Sequence, residues 1–478
     1  MIWVWGEGGC DAEPTTDELP TQKSSGGRIT RARVLTPVAK RAETLLANVT
    51  QLACGDGHSV ARDELGNVYV WGRTSEGQAG HQASHQASPR LIRSLLHEHI
   101  VAVAAVDKSC YAVSASGSAY VWGESWCEAH HGSALNEWLL SGYGRELERM
   151  SETQRQMLKK SVRDYMLDAG GSRAGEPPTA GSVGTLASVD DDQALGAPLK
   201  RELLAEPRAL PVPTGARVMA VSAGYRFYVL ALTSGRVLAA GLNDRFQLGL
   251  GDRVQRPSPS ELLDFSDGAP IALVTCGQQH TLALSADGRT FSWGFGAFGQ
   301  LGHGCCSDVR TPKLVEALAA RGSALDASCG QFHSAVIVRP PHAPIDIAAG
   351  GGAAEVAPTA LCSSAQLLTF GHAEVGQLGL SVAAIAETAE QARSSSTPAI
   401  RRRTPAAAAC YGNVLLPTPV RLDDVGEPAM VRCGTLHTVV ATSLGKVLTF
   451  GEGGNGALGH GTMLYATQPQ KVDALGSR

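Results

Sequence analysis

A five-residue motif returns four times along the chain: Cys-Gly-x-x-His begins at Cys54, Cys276, Cys329 and Cys433. In three of the four copies a glycine follows the histidine by eight residues, and six residues further on a second glycine follows Trp or Phe. Such glycines close seven units, and the two shortest steps between units are 51 and 53 residues. A period of this length means that the fold is built by packing similar units side by side.

One unit has room for four short strands. The clearest copy contains four apolar or alternating runs, which we predict as strands: 271–276, 280–284, 290–293 and 311–318. Gly288 follows Asp287 between the second and third runs, where a tight hairpin requires a positive φ. Four strands per unit, repeated around a circle, are typical of a propeller blade.

The composition agrees with this interpretation. Glycine accounts for 55 of the 478 residues, well above the ordinary usage of about 7 %. The net charge of −4 excludes bulk attraction to nucleic acid or anionic lipid, and no apolar run is long enough to span a membrane. With no signal peptide at the start and an odd number of cysteines, 11, we expect an intracellular protein of the cytoplasm or nucleus with buried thiols instead of disulfides.

The motif series resembles the repeat of the regulator of chromosome condensation family. The resemblance implies one all-β domain over residues 1–478, a seven-bladed β-propeller of four-stranded blades with loop insertions. Two units depart from the pattern at 105–109 and 223–227, where we expect the fold to persist. The residues that we assign to the structural repeat are Cys54, Gly55, His58, Trp71, Gly72, Trp122, Gly123, Cys276, Gly277, His280, Trp293, Gly294, Cys329, Gly330, His333, Gly371, Cys433, Gly434, His437 and Gly451.

The two ends of the chain do not match a complete ring. The sequence opens on a third strand and stops after a fourth, so six units are complete and a half blade at 1–42 lacks its first two strands. Either the ring closes with this half blade, or Met1 is an internal methionine of a longer chain. We favour the second interpretation, because an open strand edge invites aggregation.

Four insertions interrupt the units. Three of them fall between third and fourth strands and are expected on one face of the disc: 7–34, 124–205 and 381–415. The insertion at 340–364 falls between second and third strands and is expected on the opposite face. Residues 145–168 have the period of an amphipathic helix, which could pack on the rim or dock a partner; we favour the rim. Three stretches poor in large apolar residues are expected to be disordered: 170–197, 343–358 and 387–409.

No motif indicates catalysis, a metal site or a bound cofactor. Two glycine-rich segments, 294–299 and 451–456, match a dinucleotide fingerprint but run into strands, so neither offers a helix N-terminus to a pyrophosphate. The motif histidines belong to different blades, too far apart for one metal ion, and we expect each to tie its turn to neighbouring backbone. A candidate basic contact loop contains Lys23, Arg28, Arg31, Arg33, Lys40 and Arg41. Upstream acids can neutralise it, so we favour a solvated loop over a contact with nucleic acid or chromatin.

Two functions follow as hypotheses. The first is a non-catalytic interaction platform or regulatory adaptor whose loops bind protein partners. We expect this propeller to be monomeric and not to bind a membrane. The second is implied by the resemblance alone: guanine nucleotide exchange on a Ran-like small GTPase, with a chromatin association. Exchange needs no nucleophile, so the absence of catalytic motifs does not exclude it. We favour the platform because two units are degenerate and the insertions are large.

Overall fold

The computed structural model describes the ranges 3–4, 36–37, 48–78, 85–128, 199–262, 270–341, 364–395 and 413–473, with the single residues 265 and 268. The basic contact loop, the amphipathic segment 145–168 and the stretches 170–197 and 343–358 lie outside the described residues.

Six four-stranded antiparallel sheets follow one another along the chain, and within each sheet the strands pair in sequence order. Blades 1 and 2 are β3 (Val49–Cys54), β4 (His58–Asp63), β5 (Val68–Arg73), β6 (His85–Leu91), and β7 (Ile100–Val106), β8 (Ser109–Ser114), β9 (Ala119–Glu128), β10 (Leu199–Ala209). Blades 3 and 4 are β11 (Val218–Gly224), β12 (Phe227–Leu232), β13 (Val237–Gly241), β14 (Arg256–Leu262), and β15 (Ile271–Cys276), β16 (His280–Ser285), β17 (Thr290–Gly294), β18 (Val309–Leu314). Blades 5 and 6 are β19 (Ser323–Cys329), β20 (His333–Arg339), β21 (Gln366–His372), β22 (Asn413–Pro419), and β23 (Pro428–Cys433), β24 (His437–Thr442), β25 (Val447–Gly451), β26 (Ala466–Lys471).

The described residues therefore form an all-β propeller with six four-stranded blades, one fewer than the seven predicted. The reason lies in the chain before Val49, where the described part supplies only a two-stranded antiparallel sheet, β1 (Trp3–Val4) with β2 (Thr36–Pro37). Short helical pieces accompany the blades: the helices α1 (Glu316–Ala319) and α2 (Val382–Ser395) and the 3-10 turns Arg93–Leu95 and Gly454–Gly456. No helix in these ranges has the length and apolarity needed to cross a membrane.

Helix α2 corrects the sequence analysis, which expected disorder from residue 387. The helix contacts β22, and its residues Ala384 and Ile385 pack against the core. Thr388, in the same helix, is buried. Its Ala, Glu, Gln and Arg residues are strong helix formers. The composition that suggested disorder is therefore equally suited to a helix when one face of that helix can pack against the blade.

The first strands of successive blades pack against one another and so surround the axis of the propeller. In blade 1 the first strand alternates between half-buried and exposed residues, whereas the second strand of blade 4 is buried along its whole length. Polar bonds link neighbouring first strands: the Gln51 amide donates to the Val103 carbonyl at 2.9 Å and accepts from the Val103 N–H at 3.1 Å.

Large rings fill the space between blades, as the sequence predicted for the residue before each strand-three glycine. Trp71, Trp122, Trp293, Phe370 and Phe450 are all at most 1 % exposed. Blade 3 has Ala240 at this position, also fully buried, so a small side chain serves there. The exchange among Trp, Phe and Ala identifies a packing position.

The strand-three glycine itself cannot carry a side chain. At Gly294, φ is 97°, and a Cβ atom would lie 2.6 Å from the Gln279 carbonyl oxygen and 3.0 Å from the His280 Cα. These contacts are with backbone on the neighbouring strand, which cannot move without breaking the sheet. Gly445, in a hairpin at φ 71°, has no atom within 4 Å of such a Cβ.

We predict that Gly294→Ala destabilises the protein by about 3 kcal/mol, since it adds a backbone clash to left-handed strain. Gly445→Ala, which adds the strain alone, should cost about 1 kcal/mol. Urea unfolding followed by circular dichroism measures both free energies, and equal losses would contradict the proposed clash.

Candidate interaction face

One side of the disc is formed by the turns between first and second strands together with the loops between third and fourth strands. We call it the turn face. In every described blade, the N–H after the strand-three glycine donates to the carbonyl of the fourth turn residue, as from Arg73 to Gly57 at 2.7 Å and from Phe295 to Gln279 at 2.9 Å. These bonds hold the two kinds of loop together. The insertions that follow β9 and β21 leave the blades at this face, and the one that follows β20 leaves at the opposite face.

The turns are also bonded to one another around the axis. Between four of the five adjacent pairs of described blades, the third turn residue of one blade donates its N–H to the carbonyl of the third turn residue in the next. This bond joins Asp56 to Asp107 (2.6 Å), Tyr225 to Gln278 (3.0 Å), Gln278 to Gln331 (3.4 Å) and Gln331 to Thr435 (3.0 Å). The turn face is therefore a hydrogen-bonded rim, on which the positions of neighbouring side chains are fixed by backbone.

The Cys-Gly-x-x-His motif folds the histidine ring back over its own glycine. A Cβ atom on Gly277 would lie 2.1 Å from His280 Cε1, and one on Gly330 would lie 2.0 Å from His333 Cε1. Blade 3 keeps Gly224 beneath Phe227, so an aromatic ring replaces the imidazole without changing the glycine. In blade 2, Val106 and Ser109 replace the glycine and the histidine together. Glycine is present wherever a ring covers the turn.

Three of the four motif histidines, His58, His280 and His333, reach the next blade through Nε2. His280 Nε2 lies 3.0 Å from Ser334 Oγ, and the Ser334 hydroxyl donates to the Gln300 carbonyl at 2.8 Å. A hydroxyl has one proton, so His280 must donate from Nε2, which leaves Nδ1 as an unprotonated acceptor. His333 makes the same bond to Thr438 at 3.0 Å, and Thr438 donates to the Gln377 carbonyl at 2.8 Å. The sequence analysis expected neighbouring backbone as the histidine's partner; a side-chain hydroxyl of the next blade takes that place.

The buried histidines are held neutral. Burial lowers the pKa of His280 to about 3 and that of His333 to about 3, and burial lowers the pKa of His58 to about 4. The motif cysteines are held protonated, because burial raises the pKa of Cys276 to about 12 and that of Cys433 to about 12. Neither an imidazole that cannot take a proton nor a thiol that cannot lose one supplies acid, base or nucleophile at neutral pH.

The loop between the third and fourth strands completes the link between blades through the backbone of a glutamine, such as Gln78 or Gln247. The Gln247 carbonyl accepts from the Thr281 hydroxyl at 3.1 Å and from the Trp293 indole at 3.0 Å, both in the next blade. The Gln78 carbonyl likewise accepts from the Trp122 indole at 2.8 Å. The glutamine side chain stays in its own loop, where Gln247 Oε1 accepts the Arg245 N–H at 2.7 Å. We expect the repeat residues to act as structural groups, and the contacts of these blades support that role.

The side chains that distinguish one blade from the next are those at the third turn position. Asp56, Asp107 and Thr435 are exposed, Tyr225 and Gln278 are half-buried, and Gln331 is mostly covered and donates to the Gln278 side chain at 2.8 Å. Blades 1 and 2 both carry Asp here and blades 4 and 5 both carry Gln, while blades 3 and 6 carry Tyr and Thr. This ordered rim with varied chemistry is what a partner-specific surface requires.

An aromatic cluster on the turn face escaped the sequence analysis. The Phe298 ring lies 4.8 Å from the Phe332 ring and 5.1 Å from the His372 ring, between centroids, and Phe295 lies 5.9 Å from Phe298. The hydrogen bond from His372 to Glu374 lowers the pKa of that carboxyl. Phe295 and His372 each follow a strand-three glycine, Phe332 is the fourth turn residue of blade 5, and Phe298 lies in the loop after β17. The cluster therefore joins positions of two neighbouring blades, and only the fold shows that these positions meet.

These features define a class: a propeller of repeated blades whose repeat residues link neighbours and whose turns present varied side chains. A family model described as the RCC1-like domain matches residues 1–337, and the chain belongs to that family.

Curated relatives share part of the chain. The ultraviolet-B receptor UVR8 of Arabidopsis thaliana is 31 % identical over 285 residues, covering 54 % of this chain and 59 % of the receptor. RUG3, a mitochondrial RCC1 domain-containing protein of the same plant, is 26 % identical over 341 residues, covering 70 % of this chain and 59 % of RUG3. The human E3 ubiquitin-protein ligase HERC2 is 28 % identical over 262 residues, which is 54 % of this chain and 4 % of HERC2. The chain thus spans less than two thirds of each of these proteins.

Solved structures support the fold. Prp20p of Saccharomyces cerevisiae superposes with a TM-score of 0.58 at 18 % identity, covering 89 % of this chain and 76 % of that one. Human WBSCR16 superposes with a TM-score of 0.57 at 16 % identity, covering 92 % and 84 %. At these identities the likeness establishes the propeller and no more.

The neutral histidines predict how stability depends on pH. His333 has its pKa lowered from 6.5 in the unfolded chain to about 3 in the fold, so the unfolded state binds more protons below pH 6.5. Stability from this residue is fully present above pH 6.5 and is lost as the pH falls towards 3. Between pH 7.5 and 5.0 the wild type should lose about 2 kcal/mol more than His333→Phe.

Phenylalanine is a matched replacement, because Phe227 occupies this position in blade 3. At pH 7.5 the free energy of unfolding of the variant should be about 1 kcal/mol lower than that of the wild type, because the hydrogen bond to Thr438 is lost. Urea titrations at the two pH values give the four free energies. A pH dependence identical in both proteins would show that His333 titrates normally in the fold.

Proposed function

We propose that the chain is a non-catalytic interaction platform, a regulatory adaptor that binds protein partners on the turn face. The proposal rests on the different roles of the residues in each turn, some of which link the blades while one faces the rim. The glycine and histidine of the motif make the contacts that link the blades, while the third residue is held by backbone on the rim and varies among Asp, Tyr, Gln and Thr around the axis. We propose further that it works as a monomer in the cytoplasm or nucleus.

The relatives are consistent with a platform, since a receptor and ubiquitin ligases share this domain with different remaining parts. The exchange-factor hypothesis is not favoured. The solved structure of Prp20p is described with binding to Gsp1p and histones, but that protein shares 18 % identity with this chain, and such a likeness carries the fold alone.

Site-specific photo-crosslinking tests which face is used. A benzoylphenylalanine placed at Tyr225, on the rim, should capture protein from an extract of the native cells. The same probe at Leu65, which is 70 % exposed in a hairpin on the opposite face, is the matched control. We predict at least about tenfold more crosslinked protein at position 225, as expected when one position is buried by a partner and the other stays in water.

Equal capture at both positions would contradict a partner surface on the turn face. Release of labelled GDP from a panel of small GTPases is measured in parallel. Acceleration by catalytic amounts of the chain would replace the platform with the exchange function, and no acceleration across the panel is expected.

We also propose that β1 and β2 are the third and fourth strands of a seventh blade, which lies between blades 6 and 1. Trp71 in blade 1 is 1 % exposed, yet its indole N–H has no hydrogen-bond partner within the described residues. The equivalent Trp122 and Trp293 donate to a loop carbonyl of the preceding blade. At the other end, His437 of blade 6 is half-buried where His280 and His333 are fully covered. Within the described residues, blade 1 therefore has a buried indole donor without an acceptor and blade 6 has a partly open histidine, as expected where another blade would pack between them.

The seventh blade predicts a hydrogen-bond acceptor for Trp71. Trp71→Phe should cost as much as Trp293→Phe, at least about 1 kcal/mol each, because both changes remove the same indole donor and the same part of a buried ring. Chemical denaturation of the two variants compares them directly. A cost near zero at Trp71 alone would mean that no loop carbonyl reaches its indole.

A further inference from the structure

Blade 3 breaks the repeat at a strained position. The position concerned lies in the loop between the third and fourth strands. In four other blades it is Gly77, Gly299, Gly376 or Gly456, with φ of 86°, 79°, 81° and 71°. In blade 3 it is Phe246, at a φ of 60°. A bulky side chain in the left-handed region is rare and costs of the order of 1–2 kcal/mol.

The loop does not change shape to relieve this strain. Phe246 N–H donates to the Asn243 carbonyl at 3.2 Å, and its own carbonyl accepts from Gly249 at 2.9 Å. In blade 4 the corresponding bonds, Gly299 to Gly296 and Gly302 to Gly299, measure 2.9 and 3.0 Å. Blade 3 thus keeps the glycine conformation with a phenyl ring attached, and strain that persists in this way is found preferentially at functional sites.

Two arginines from adjacent blades lie over the ring. Arg253 follows in the same loop, with its guanidinium carbon 4.7 Å from the ring centroid, and Arg310 on β18 of blade 4 lies at 5.3 Å. The Gly251 N–H donates to the Arg310 carbonyl at 3.1 Å, which fixes the loop to that strand. Both arginines are exposed, while the ring between them is only 7 % exposed.

The nearby acids are already engaged. Asp252 pairs with Arg256 at 2.7 Å, and Asp308 pairs with Arg245 at 3.9 Å. Arg253 and Arg310 make no ion pair within the ranges that the structure describes. Two guanidinium groups, oriented by one aromatic ring and left without counter-charges, are a binding site for an anion.

We propose that Phe246, Arg253 and Arg310, which we call the Arg-Phe-Arg site, bind a phosphorylated side chain of a protein partner. A phosphoryl group carries nearly two negative charges and three acceptor oxygens, which matches two guanidinium groups. A carboxylate is satisfied by one arginine. Nucleic acid is disfavoured, because phosphate-backbone binding requires several contacts in a row and the chain has a net charge of −4. This inference rests on the proposed platform function and names the chemistry of one contact.

The test uses the full chain and three fluorescein-labelled peptide pools that differ only at the central residue: phosphoserine, serine or aspartate, each flanked by randomised positions. Fluorescence anisotropy should give at least about tenfold tighter binding for the phosphoserine pool. Arg253→Gln and Arg310→Gln should each weaken that binding by at least about tenfold. Arg236→Gln, at an exposed arginine paired with Glu261 in the same blade, is the control and should bind as the wild type does.

Phe246→Gly gives the most selective result. It restores the residue that the same loop carries in other blades, so the variant should fold and unfold cooperatively like the wild type while losing the tight phosphoserine binding. Unchanged binding in this variant or in both arginine variants would overturn the proposal. Equal binding of the aspartate pool, efficient displacement by single-stranded DNA, or no binding of any pool would overturn it as well.

The failure of the site can be told apart from the failure of the platform. Crosslinking from position 225 is repeated in the double variant Arg253→Gln, Arg310→Gln. Retained capture with no phosphoserine preference leaves the platform standing and removes the Arg-Phe-Arg site.

Discussion

In blades 4, 5 and 6 the second residue of the second strand bears the hydrogen bond on which the linkage to the preceding blade depends. Where it is Ser334 or Thr438, its one proton goes to a glutamine carbonyl of the preceding blade, and its lone pair is left for that blade's histidine. The tautomer of the histidine follows from this, and so does its neutrality, since a second proton on a fully buried ring would have no acceptor. The glycine beneath the ring follows in turn. The histidine and the glycine of the motif thus both follow from the geometry of one hydroxyl.

The degenerate blades show that this linkage can be exchanged in coordinated steps. Blade 2 has lost both the ring and the glycine, and Ser109 now donates to the Glu124 carbonyl in strand three. Cys110 replaces the hydroxyl, with His58 Nε2 at 3.2 Å from its sulfur. Blade 3 keeps the glycine and packs Phe227 on it. Both blades keep the same strand order as the others without the motif.

The sequence predicted the blades well because their residues are fixed by backbone geometry: positive φ at Gly288 and Gly294 leaves a periodic trace. It predicted boundaries less well where side-chain packing decides, as in the fourth strand of blade 4, which ends at Leu314 and is followed by α1 instead of continuing to 318. The aromatic cluster around Phe298 is assembled from loops whose relative positions exist only in the fold. Phe246 departs from the repeat in the sequence, but its positive φ appears only in the fold. Arg253 and Arg310, which lie over its ring, come from two different blades, so sequence spacing could not predict that they meet.

The turn-to-turn bonds all run in one sense around the axis, from each N–H to a carbonyl in the following blade. Such a head-to-tail contact has two unlike surfaces, so a blade cannot pair with a copy of its own donor side. A disturbance at one contact reaches only the two blades that share it, as in other repeat architectures where energies add between nearest neighbours. A partner seated on blades 3 and 4 therefore changes the stiffness of its own sector and leaves distant sectors free to bind something else, so one ring can serve separate partners without coupling them.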